Sequence, residues 1–548
     1  MAHALAGKPV QEQDIIDVQT IVDAYFDNVP DMTNPTQLVS FGTSGHRGTS
    51  VDGTFTDLHV AAITQAICDG RKQFGATGPI FVGQDTHALS QPALVTVLEV
   101  LAGNGVTAMV DCDMAFVPTP SVSRAIIRYN EEHDDKADGI IITPSHNPPD
   151  NGGIKYNTII GGPADTVVTK WIEMRANEYL TAYCESEDFK RISIDNIEPT
   201  AQVPYDYKGL YVEELGDVIN MEAIKAAGPK VLVDTLGGSG ASYWNAIKER
   251  YGLDLTIIHD DYDPTFSFMT YDHDGKVRMD CSSTYVMASV INRIGDFDLA
   301  VGNDPDYDRY GIVVSSGLIS ANTFLTLAAR YLFTTRGWKN KGVGKTVVCT
   351  TMIDKWAADA EIPVFEVPVG FKYFSQLLFD GAIGIGGEES AGASFLKKDG
   401  TVWTTDKDGM IMALLSMEIM AVMGKSALKM ADEFVEEFGN PSFGRIDAPC
   451  KKEQKQILKQ MSAELITATT VDGDPITNIR TTSLYNDMPI DGVRVETDKG
   501  WFVARPSGTE DLYKIYGESY KGDLGLVALL TVGEEIVNAA LNGTIETE

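Results

Sequence analysis

Short runs of aliphatic residues recur along the chain, and each is followed by a stretch rich in glycine or aspartate. The clearest of these units cover residues 78–86, 139–147, 230–240, 298–308 and 381–390. Amphipathic stretches, such as residues 57–74 and 93–105, lie between them. Strand-length apolar runs that alternate with helix-length amphipathic stretches predict α/β domains with mostly parallel sheets. In such sheets ligands bind beyond the carboxyl ends of the strands, which is where these polar loops fall.

Changes in pattern along the 548 residues suggest where the domains meet. At roughly 150 residues per domain, the length alone suggests about three to four domains. A connector with two prolines covers residues 189–208, and a new helical pattern begins near residue 320. Beyond residue 440 come a helix-like stretch at 452–466 and a hairpin pattern at 492–508. These features predict three α/β domains and a smaller α+β domain, at residues 1–205, 206–320, 321–440 and 441–548.

Composition and charge narrow the possible partners. Hydrophobic residues make up 43% of the chain and charged residues 22%, as in an ordinary soluble protein. The net charge of −34 argues against nucleic acid and anionic membrane surfaces, so an anionic substrate would need locally concentrated Arg and Lys. The six cysteines show no CxxC spacing, so we expect no disulfide framework, no zinc site and a reducing cytosol. We also expect no membrane span and no secretory leader.

The stretch ITPSHNPPDNGGIKYN, residues 142–157, raises the question of what Ser145 does. Serine is a weak nucleophile unless a base or a metal activates it. Proline, asparagine, aspartate and glycine favour turns for stereochemical reasons, so this loop alone is best interpreted as a turn. His146 and Lys155 lie close enough in sequence to suggest chemistry without deciding it.

Three aspartates, Asp304, Asp306 and Asp308, follow a predicted strand and are spaced two residues apart. Hard oxygen ligands at this spacing suit Mg²⁺ or Ca²⁺. An EF-hand is excluded because its sixth position would be Arg309 instead of glycine and its twelfth Ser315 instead of glutamate. A solvated acidic turn is the alternative in so acidic a protein. The arginine directly after the aspartates favours a functional site that also holds phosphate.

A glycine-rich loop at residues 384–392 carries Glu388, Glu389 and Ser390. A carboxylate beside a hydroxyl can accept and donate hydrogen bonds to sugar hydroxyls. A turn with a helix N-cap at Ser390 fits equally well. Two weaker loops contribute further candidates: Thr43, Ser44 and Arg47 in residues 41–48, and Lys407 in residues 404–409.

The sequence RPSGTED, residues 505–511, has the residue types of a phosphate cradle. Arg505 supplies a guanidinium fork, and Ser507 and Thr509 supply hydroxyls around Gly508. For this loop alone, a type I or type II turn is slightly favoured. Lys514 follows shortly after and can add positive charge.

Together these loops resemble those of the α-D-phosphohexomutases, in order and over nearly the whole chain. TPSHNPP is similar to the phosphoserine loop of that family, which puts the phosphate on Ser145. DPDYDR is similar to its magnesium loop, with Asp304, Asp306, Asp308 and the phosphoserine as ligands. GEESAG resembles the sugar-binding loop, RPSGT the phosphate-binding loop of the last domain, and GTSGHR the N-terminal loop. The resemblance implies four domains around a central cleft, three α/β with mixed sheets and a smaller C-terminal α+β domain.

The GEES form of the sugar loop resembles the branch of the family that acts on glucose phosphates. Branches that act on mannose or glucosamine phosphates typically carry Met or Gln in place of the second Glu. The resemblance therefore implies interconversion of α-D-glucose 1-phosphate and glucose 6-phosphate, with Mg²⁺ as cofactor and glucose 1,6-bisphosphate as intermediate and activator. One departure is PVGFK, residues 368–372, where Val369 replaces the Thr of eukaryotic relatives. A backbone contact survives that change, and a hydroxyl contact does not.

The resemblance also implies roles for individual residues. Lys155, His146 and Arg47 are candidates for the base that deprotonates the attacking hydroxyl, and the sequence does not choose among them. The implied substrate-binding residues are Thr43, Arg309, Gly370, Lys372, Glu388, Ser390, Lys407, Arg505, Ser507, Gly508 and Thr509.

Other functions stay open at this point. A phosphomannomutase or dual-specificity enzyme would differ only in its preferred sugar. A metal-dependent sugar phosphatase would need water in the cleft and no bisphosphate. A non-catalytic sugar-phosphate binding protein would need neither the serine nor the aspartate trio. In every case we expect small-molecule sugar phosphates as partners, and we further expect a cytoplasmic location and a possible homodimer through the first domain.

Overall fold

Four β-sheets follow one another along the part of the chain that the structure describes. The computed structural model describes residues 2–42, 44–184, 189–466, 468–508 and 512–542. Two residues named from the sequence, Thr43 and Thr509, therefore lie outside the described residues.

The first sheet has six strands and the helices that cover it. The strands are β1 (His46–Thr49), β2 (Ile80–Gln84), β3 (Ala108–Asp111), β4 (Asp138–Ile142), β5 (Asn151–Asn157) and β6 (Gln202–Tyr205). The helices are α1 (Val18–Asp27), α2 (Asp57–Gly70), α3 (Ser90–Gly103), α4 (Thr119–Glu132) and α5 (Thr166–Cys184). The strand order is β1-β5-β4-β2-β3-β6, in which β4, β2, β3 and β6 are parallel and the other two pairings are antiparallel.

The second and third sheets repeat this mixed arrangement on a smaller scale. The second contains β7 (Val231–Asp234), β8 (Leu255–Ile258), β9 (Leu299–Asn303), β10 (Tyr310–Val314) and β11 (Gly317–Leu318), with α6 (Tyr207–Val218), α7 (Met221–Ala227), α8 (Ala241–Tyr251) and α9 (Ala288–Ile291). The third contains β12 (Gly342–Thr346), β13 (Val364–Val367), β14 (Ile383–Gly387) and β15 (Ala393–Phe395), with α10 (Ala321–Arg336), α11 (Met352–Asp359), α12 (Lys372–Phe379), α13 (Gly409–Met423) and α14 (Ala427–Phe438). Their strand orders are β11-β10-β9-β7-β8 and β13-β12-β14-β15.

The fourth sheet is antiparallel throughout its described pairings. Its elements are β16 (Ser442–Pro449), β17 (Thr470–Val471), β18 (Asp474–Thr482), β19 (Pro489–Thr497), β20 (Gly500–Pro506) and β21 (Leu512–Ser519), with α15 (Lys452–Lys459) and α16 (Gly522–Leu541). The strand order is β16-β21-β20-β19-β18-β17. Three mixed sheets followed by one smaller antiparallel unit confirm the fold class expected from the sequence. The domain boundaries at 205, 320 and 440 stay predictions.

The same turn recurs in each of the first three sheets. A strand of the parallel part turns back into an antiparallel neighbour, in the pairs β4–β5, β9–β10 and β14–β15. Each connecting loop contains a non-glycine residue in the left-handed region: Ser145 with φ 62°, Tyr307 with φ 63° and Ala391 with φ 67°. The serine, aspartate and glutamate loops singled out in the sequence are thus three versions of one structural element.

Two local expectations were wrong in detail. Residues 189–208 were expected to be a connector, but β6 within them pairs in parallel with β3 and completes the first sheet. Pro204 is tolerated there because β6 is an edge strand. The helix expected over 452–466 ends at Lys459 and is followed by a 3₁₀ turn at Ala463–Leu465.

The hairpin expected within 492–508 is confirmed, since Thr497 pairs with Gly500 across a two-residue turn.

Helix α16 is long and apolar enough to cross a membrane by length and composition, as is the bent pair α13–α14 taken together. This differs from the sequence expectation of no membrane span. In the structure α16 packs on β20 and β21 and buries Leu526, Leu529 and Val537. Helix α13 lies inside the core that joins the second and third sheets. Helix α13 is therefore mostly buried, whereas α16 packs one face on the fourth sheet and leaves Leu524 and Val527 exposed.

Two buried histidines hold the chain around β1. The rings of His46 and His59 stack with their centroids 5.3 Å apart. His46 Nε2 lies 2.9 Å from the carbonyl oxygen of Thr54, and His59 Nε2 lies 2.8 Å from that of Gln37. Burial lowers the pKa of His46 to about 4 and the pKa of His59 to about 3. Both rings are therefore neutral at neutral pH.

We expect these histidines to make the protein sensitive to acid. Their pKa values are lower in the folded chain than the unfolded value of about 6.5, so the free energy of unfolding should fall as the pH drops below 6.5. The loss should be about 1–2 kcal/mol per histidine between pH 6.5 and pH 5, and it should level off near the folded pKa values. Urea unfolding at pH 7, 6 and 5 measures this. The double variant H46Q/H59Q should lose the part of the dependence that these two rings contribute, and His146, whose pKa burial also lowers, should keep its own part. His133→Gln at an exposed position should keep the whole dependence.

Candidate active site

A cleft of about 1100 Å³ opens between the segments that carry the four sheets. Loops that are far apart in the sequence meet there. The residues named from the sequence that line it are Ser44, Arg47, His146, Arg309, Val369, Glu388, Glu389, Ser390, Lys407, Arg505, Ser507, Gly508 and Lys514.

Ser145 is buried directly beside the part of the cleft that His146 lines. Its Oγ donates a 3.0 Å hydrogen bond to Asp304 Oδ2 and lies 3.4 Å from His146 Nδ1. With φ at 62°, the backbone of Ser145 has a conformation that costs a non-glycine residue about 1–3 kcal/mol. An ordinary turn serine needs neither this strain nor a contact with a carboxylate of another domain.

The three aspartates predicted as metal ligands come together in the buried interior next to Ser145. Each of Asp304, Asp306 and Asp308 is inaccessible to solvent, and their nearest carboxylate oxygens lie within 4.8 Å of one another. Oδ1 of Asp306 and Oδ1 of Asp308 are buried without a hydrogen-bond partner among the described residues. Asp308 Oδ1 has only a long ion-pair contact, 3.9 Å from Arg309 Nε. Buried carboxylate oxygens that accept no hydrogen bond fit a hard divalent cation such as Mg²⁺.

Lysines neutralise much of the charge of this trio. Lys155 Nζ lies 2.6 Å from Asp306 Oδ2 and 3.2 Å from Asp308 Oδ2, and Lys407 Nζ lies 2.6 Å from the same Asp308 oxygen. Burial, together with the charges of its two acidic neighbours, raises the pKa of Asp304 well above its usual range. Burial also acts to raise the pKa of Asp308, but the two lysines outweigh it and hold that pKa below its usual range. The negative charge is therefore distributed unevenly over the trio, with Asp308 favouring its charged form and Asp304 its protonated form. A bound divalent cation would favour the charged form of every carboxylate.

Arg309 and His146 face each other across a carboxylate that the sequence analysis did not single out. Asp280 Oδ2 lies 4.0 Å from His146 Nε2 and 3.8 Å from Arg309 Nη1. Burial, with Arg309 nearby, lowers the pKa of His146, so its ring is neutral at pH 7. Arg47 reaches the serine loop through a 3.4 Å hydrogen bond to Asn147 Oδ1. Asp280 lies in RMDCSS, a stretch with no recognisable spacing or repeat, so only the fold reveals it.

The glutamate loop lies between the aspartate trio and the fourth sheet. Glu388 is buried, its backbone N–H donates to the Gly392 carbonyl at 2.8 Å, and burial raises its pKa to about 7. Glu389 and Ser390 are partly exposed and line the cleft. A protonated carboxyl can donate as well as accept hydrogen bonds, which suits sugar hydroxyls.

The fourth sheet presents a charged face to the cleft. Lys514 lies between Arg505 and Asp447 in the register of β20, β21 and β16, so these three side chains share one face of the sheet. Arg445, two residues before Asp447, is on the same face, forms an ion pair with Asp447 and also lines the cleft. The sequence reasoning missed Arg445 because it lies outside the RPSGT loop.

Not every predicted substrate-binding residue lies on the main cleft. Lys372 donates a 2.9 Å hydrogen bond to Thr166 Oγ1 and lines a separate small void with Lys155, Glu388 and Lys407. Gly370 has φ at 133°, a region that favours glycine, and its neighbour Val369 is the residue of that loop that lines the cleft. The roles of all these residues stay predictions.

Comparison with known proteins is consistent with this arrangement. Models described as "Phosphoglucomutase/phosphomannomutase", alpha/beta/alpha domains I, II and III and the C-terminal domain, match residues 38–182, 210–317, 320–438 and 447–524. The chain is 46% identical over 539 residues to "Phosphoglucomutase" of Komagataeibacter xylinus, which covers 97% of both chains. It is 27% identical to "Phosphoglucomutase 1" of Saccharomyces cerevisiae over 88% of both chains.

Two solved structures bear on the fold alone because they are less than 25% identical to the chain. A putative phosphomannomutase from Thermus thermophilus aligns with a TM-score of 0.71 at 23% identity and covers 91% of this chain and 99% of its own. The pp63/parafusin of Paramecium aligns with a TM-score of 0.71 at 20% identity and covers 94% and 96%. Both support the four-unit architecture.

Proposed function

The chain belongs to the phosphoglucomutase/phosphomannomutase family, and on this premise we propose that it interconverts α-D-glucose 1-phosphate and glucose 6-phosphate. The observation that carries the proposal is the 3.0 Å contact between Ser145 Oγ and Asp304 of the buried aspartate trio. A hydroxyl held against a metal-binding cluster, beside a cleft lined with cations, is suited to carry a phosphoryl group.

Substrate binding is assigned to two loops of the cleft, one that holds a phosphate and one that holds the sugar. Arg505, Ser507 and the backbone of Gly508 hold the phosphate that is not being transferred, because a guanidinium fork and nearby donors match its oxygens. Glu388 and Ser390 bind the sugar hydroxyls. Thr509 of the same phosphate loop and Thr43 of the N-terminal loop belong to this set by family resemblance alone.

The metal site is assigned to Asp304, Asp306, Asp308 and the phosphate of phospho-Ser145. The oxygens of Asp306 and Asp308 that accept no hydrogen bond supply the chemical reason for a divalent cation there. When Mg²⁺ is bound, it withdraws charge from the phosphoryl group and so eases in-line transfer. Lys155 and Lys407, which contact the same carboxylates, keep these side chains in place.

The reaction begins with phosphate on Ser145. The 6-hydroxyl of glucose 1-phosphate attacks phosphorus, the O6–P bond forms, the Oγ–P bond breaks, and the hydroxyl proton passes to a base. The product is glucose 1,6-bisphosphate, which turns over so that its 1-phosphate faces Ser145 Oγ. Transfer of that phosphoryl group to the serine breaks the O1–P bond, restores phospho-Ser145 and leaves glucose 6-phosphate. Among the candidates for the base, the ring of His146 is neutral and can take the proton directly, whereas Lys155 and Arg47 would first have to lose one.

Water must be kept from phospho-Ser145, since hydrolysis would end the cycle. The serine is almost completely buried in the described structure, and the phosphate loop lies on a separate sheet across the cleft. Closure of the cleft on a bound sugar phosphate would exclude water further. This separates the proposed mutase from a phosphatase, which requires a water molecule in line with the phosphoserine.

Three assays on the purified enzyme test the proposal. We expect glucose 6-phosphate to form from glucose 1-phosphate with a rate that depends on added Mg²⁺ and glucose 1,6-bisphosphate. Release of inorganic phosphate should be negligible beside mutase turnover, and stoichiometric release would identify a phosphatase instead. A kcat/KM for mannose 1-phosphate equal to or above that for glucose 1-phosphate would identify a phosphomannomutase or dual-specificity enzyme. A cytoplasmic location and a homodimer remain further proposals.

A further inference from the structure

A buried hydrogen-bond network packs against the serine loop. Asp85 and His87 follow β2, and because β2 and β4 are parallel neighbours, the loops at their carboxyl ends lie side by side. Both side chains are completely or almost completely buried. His87 Nδ1 lies 2.9 Å from Asp85 Oδ2, and Ser90 Oγ donates to Asp85 Oδ1 at 2.5 Å. The mechanism above uses none of these residues.

The network contacts the chain on both sides of Ser145. Thr143 Oγ1 donates to Asp85 Oδ2 at 2.6 Å and accepts the backbone N–H of Ser145 at 2.7 Å. His87 Nε2 lies 3.0 Å from the carbonyl oxygen of Asn147. The two anchor points are therefore two residues before and two residues after the serine.

The partners of His87 determine the protonation of its ring. A carbonyl oxygen can only accept a hydrogen bond, so Nε2 must carry a proton. Nδ1 faces Asp85, whose two oxygens already accept hydrogen bonds from Thr143 and Ser90, so Nδ1 donates as well. His87 is therefore an imidazolium paired with a buried carboxylate. Charge-assisted hydrogen bonds of this kind are stronger and more directional than neutral ones.

The backbone of Ser145 needs such support. A non-glycine residue with φ at 62° persists only where its surroundings impose that conformation. In this conformation Oγ points at Asp304, 3.0 Å away. If the loop relaxed to an ordinary backbone conformation, the hydroxyl would leave the aspartate trio.

We propose that Asp85, His87 and Thr143 are positioning residues that clamp the loop on both sides of Ser145 and keep its hydroxyl aimed at the aspartate trio. The clamp acts on the serine and leaves the binding of the sugar phosphate to other residues. The proposal rests on the proposed function in one respect, namely that Ser145 carries the phosphoryl group. A second contact, between the rings of His87 and Phe266 of the second sheet's segment with centroids 5.1 Å apart, ties the clamp to the domain that supplies the trio.

The test compares Thr143→Val and His87→Leu with the wild-type enzyme. Valine keeps the volume of threonine and removes its hydroxyl, while leucine removes both ring donors. We expect kcat for glucose 1-phosphate, and the rate at which glucose 1,6-bisphosphate phosphorylates Ser145, to fall by about 10- to 100-fold, as for a small displacement of a reacting group. KM should stay within about threefold of wild type, because the substrate contacts are elsewhere. Thr143→Ser, which restores the hydroxyl, should recover most of the rate.

Amide hydrogen exchange supplies a measurement that does not depend on mutase activity. Peptides that span residues 143–150 should exchange faster in Thr143→Val and His87→Leu than in wild type, with little change elsewhere. If wild type lacks mutase activity, the proposed function fails, and this exchange result still decides whether the clamp exists.

His259→Leu is the matched control. His259 Nδ1 contacts Asp234 Oδ1 at 2.8 Å, which makes a similar histidine–aspartate pair in the segment of the second sheet. We expect this variant to lower the thermal midpoint and to leave both kcat and the exchange of residues 143–150 close to wild type. The clamp is refuted if Thr143→Val folds and shows unchanged kcat and unchanged exchange, or if its KM rises while kcat stays constant. Thr143→Val decides the question even if His87→Leu does not fold.

Discussion

Ser145→Ala should lower kcat for the conversion of glucose 1-phosphate by at least about 10⁴-fold, as removal of a nucleophile does in other enzymes. The methyl group cannot accept a phosphoryl group, and Ser145 Oγ is the hydroxyl that the described structure places against Asp304. Alanine keeps the Cβ of serine, so the loop and the aspartate trio should stay folded. A coupled assay for glucose 6-phosphate measures the rate. Intact-protein mass spectrometry after treatment with glucose 1,6-bisphosphate should show a phosphorylated wild type and an unmodified variant.

Two further variants separate chemistry from stability. Ser145→Gly should be equally inactive but more stable than Ser145→Ala by about 0.5–1 kcal/mol, because glycine adopts φ near 62° without strain. Ser426→Ala removes the hydroxyl that caps α14, through a 3.3 Å contact with the Lys429 N–H, and should cost about 1 kcal/mol of stability without loss of kcat. Near-normal turnover by Ser145→Ala, with bisphosphate still required, would exclude the serine as phosphoryl carrier.

The second large effect is expected from Asp304→Asn. Asparagine preserves the shape of the side chain, and its Oδ1 can still accept the Arg309 N–H that Asp304 Oδ1 accepts at 3.0 Å. It removes one of three carboxylates that a divalent cation needs, so kcat should fall by about 10²- to 10⁴-fold. A titration of Mg²⁺ against mutase activity should show that excess metal does not restore the rate.

Asp304→Asn should lower kcat but raise the thermal stability of the metal-free protein. In protein treated with a chelator, Asp304→Asn should unfold at a higher temperature than wild type, because one of three buried and mutually repelling carboxylates is neutralised. Addition of Mg²⁺ should raise the unfolding temperature of wild type and change that of the variant much less, since ligand binding stabilises only a protein that binds. Asp113→Asn, at an exposed position, is the control and should follow wild type in both measurements. A variant that is equally stabilised by Mg²⁺ would place the metal elsewhere.

The sequence was informative wherever chemistry is encoded locally. Asp304, Asp306 and Asp308 lie in one short loop, and a spacing of two residues already brings their carboxylates close together. The RPSGT and GEES loops likewise contain their functional groups within a few residues. Aliphatic runs followed by polar loops indicated strands and their carboxyl ends, and so the edge of each sheet at which these loops lie.

The sequence was weaker where one element depends on a distant partner. The residues 202–205 look like part of a connector because their strand exists only through pairing with β3. The pattern of aliphatic runs alone predicted mostly parallel sheets, because the antiparallel return after each loop leaves no pattern of its own. The mixed sheets were expected only through the family resemblance. Asp280 and Arg445 carry no motif, and each becomes part of the cleft only when another domain packs beside it.

By itself, then, the order of residues determined which loops carry carboxylates, hydroxyls and guanidinium groups, because those are properties of short segments. The tertiary structure decided that Ser145 takes a left-handed backbone conformation and that its hydroxyl contacts Asp304 of another domain. It also decided that Asp85 and His87 contact the loop on either side of the serine. Such contacts join residues 58 to 159 positions apart. They depend on the pairing of whole strands and the packing of whole domains, which no local pattern specifies.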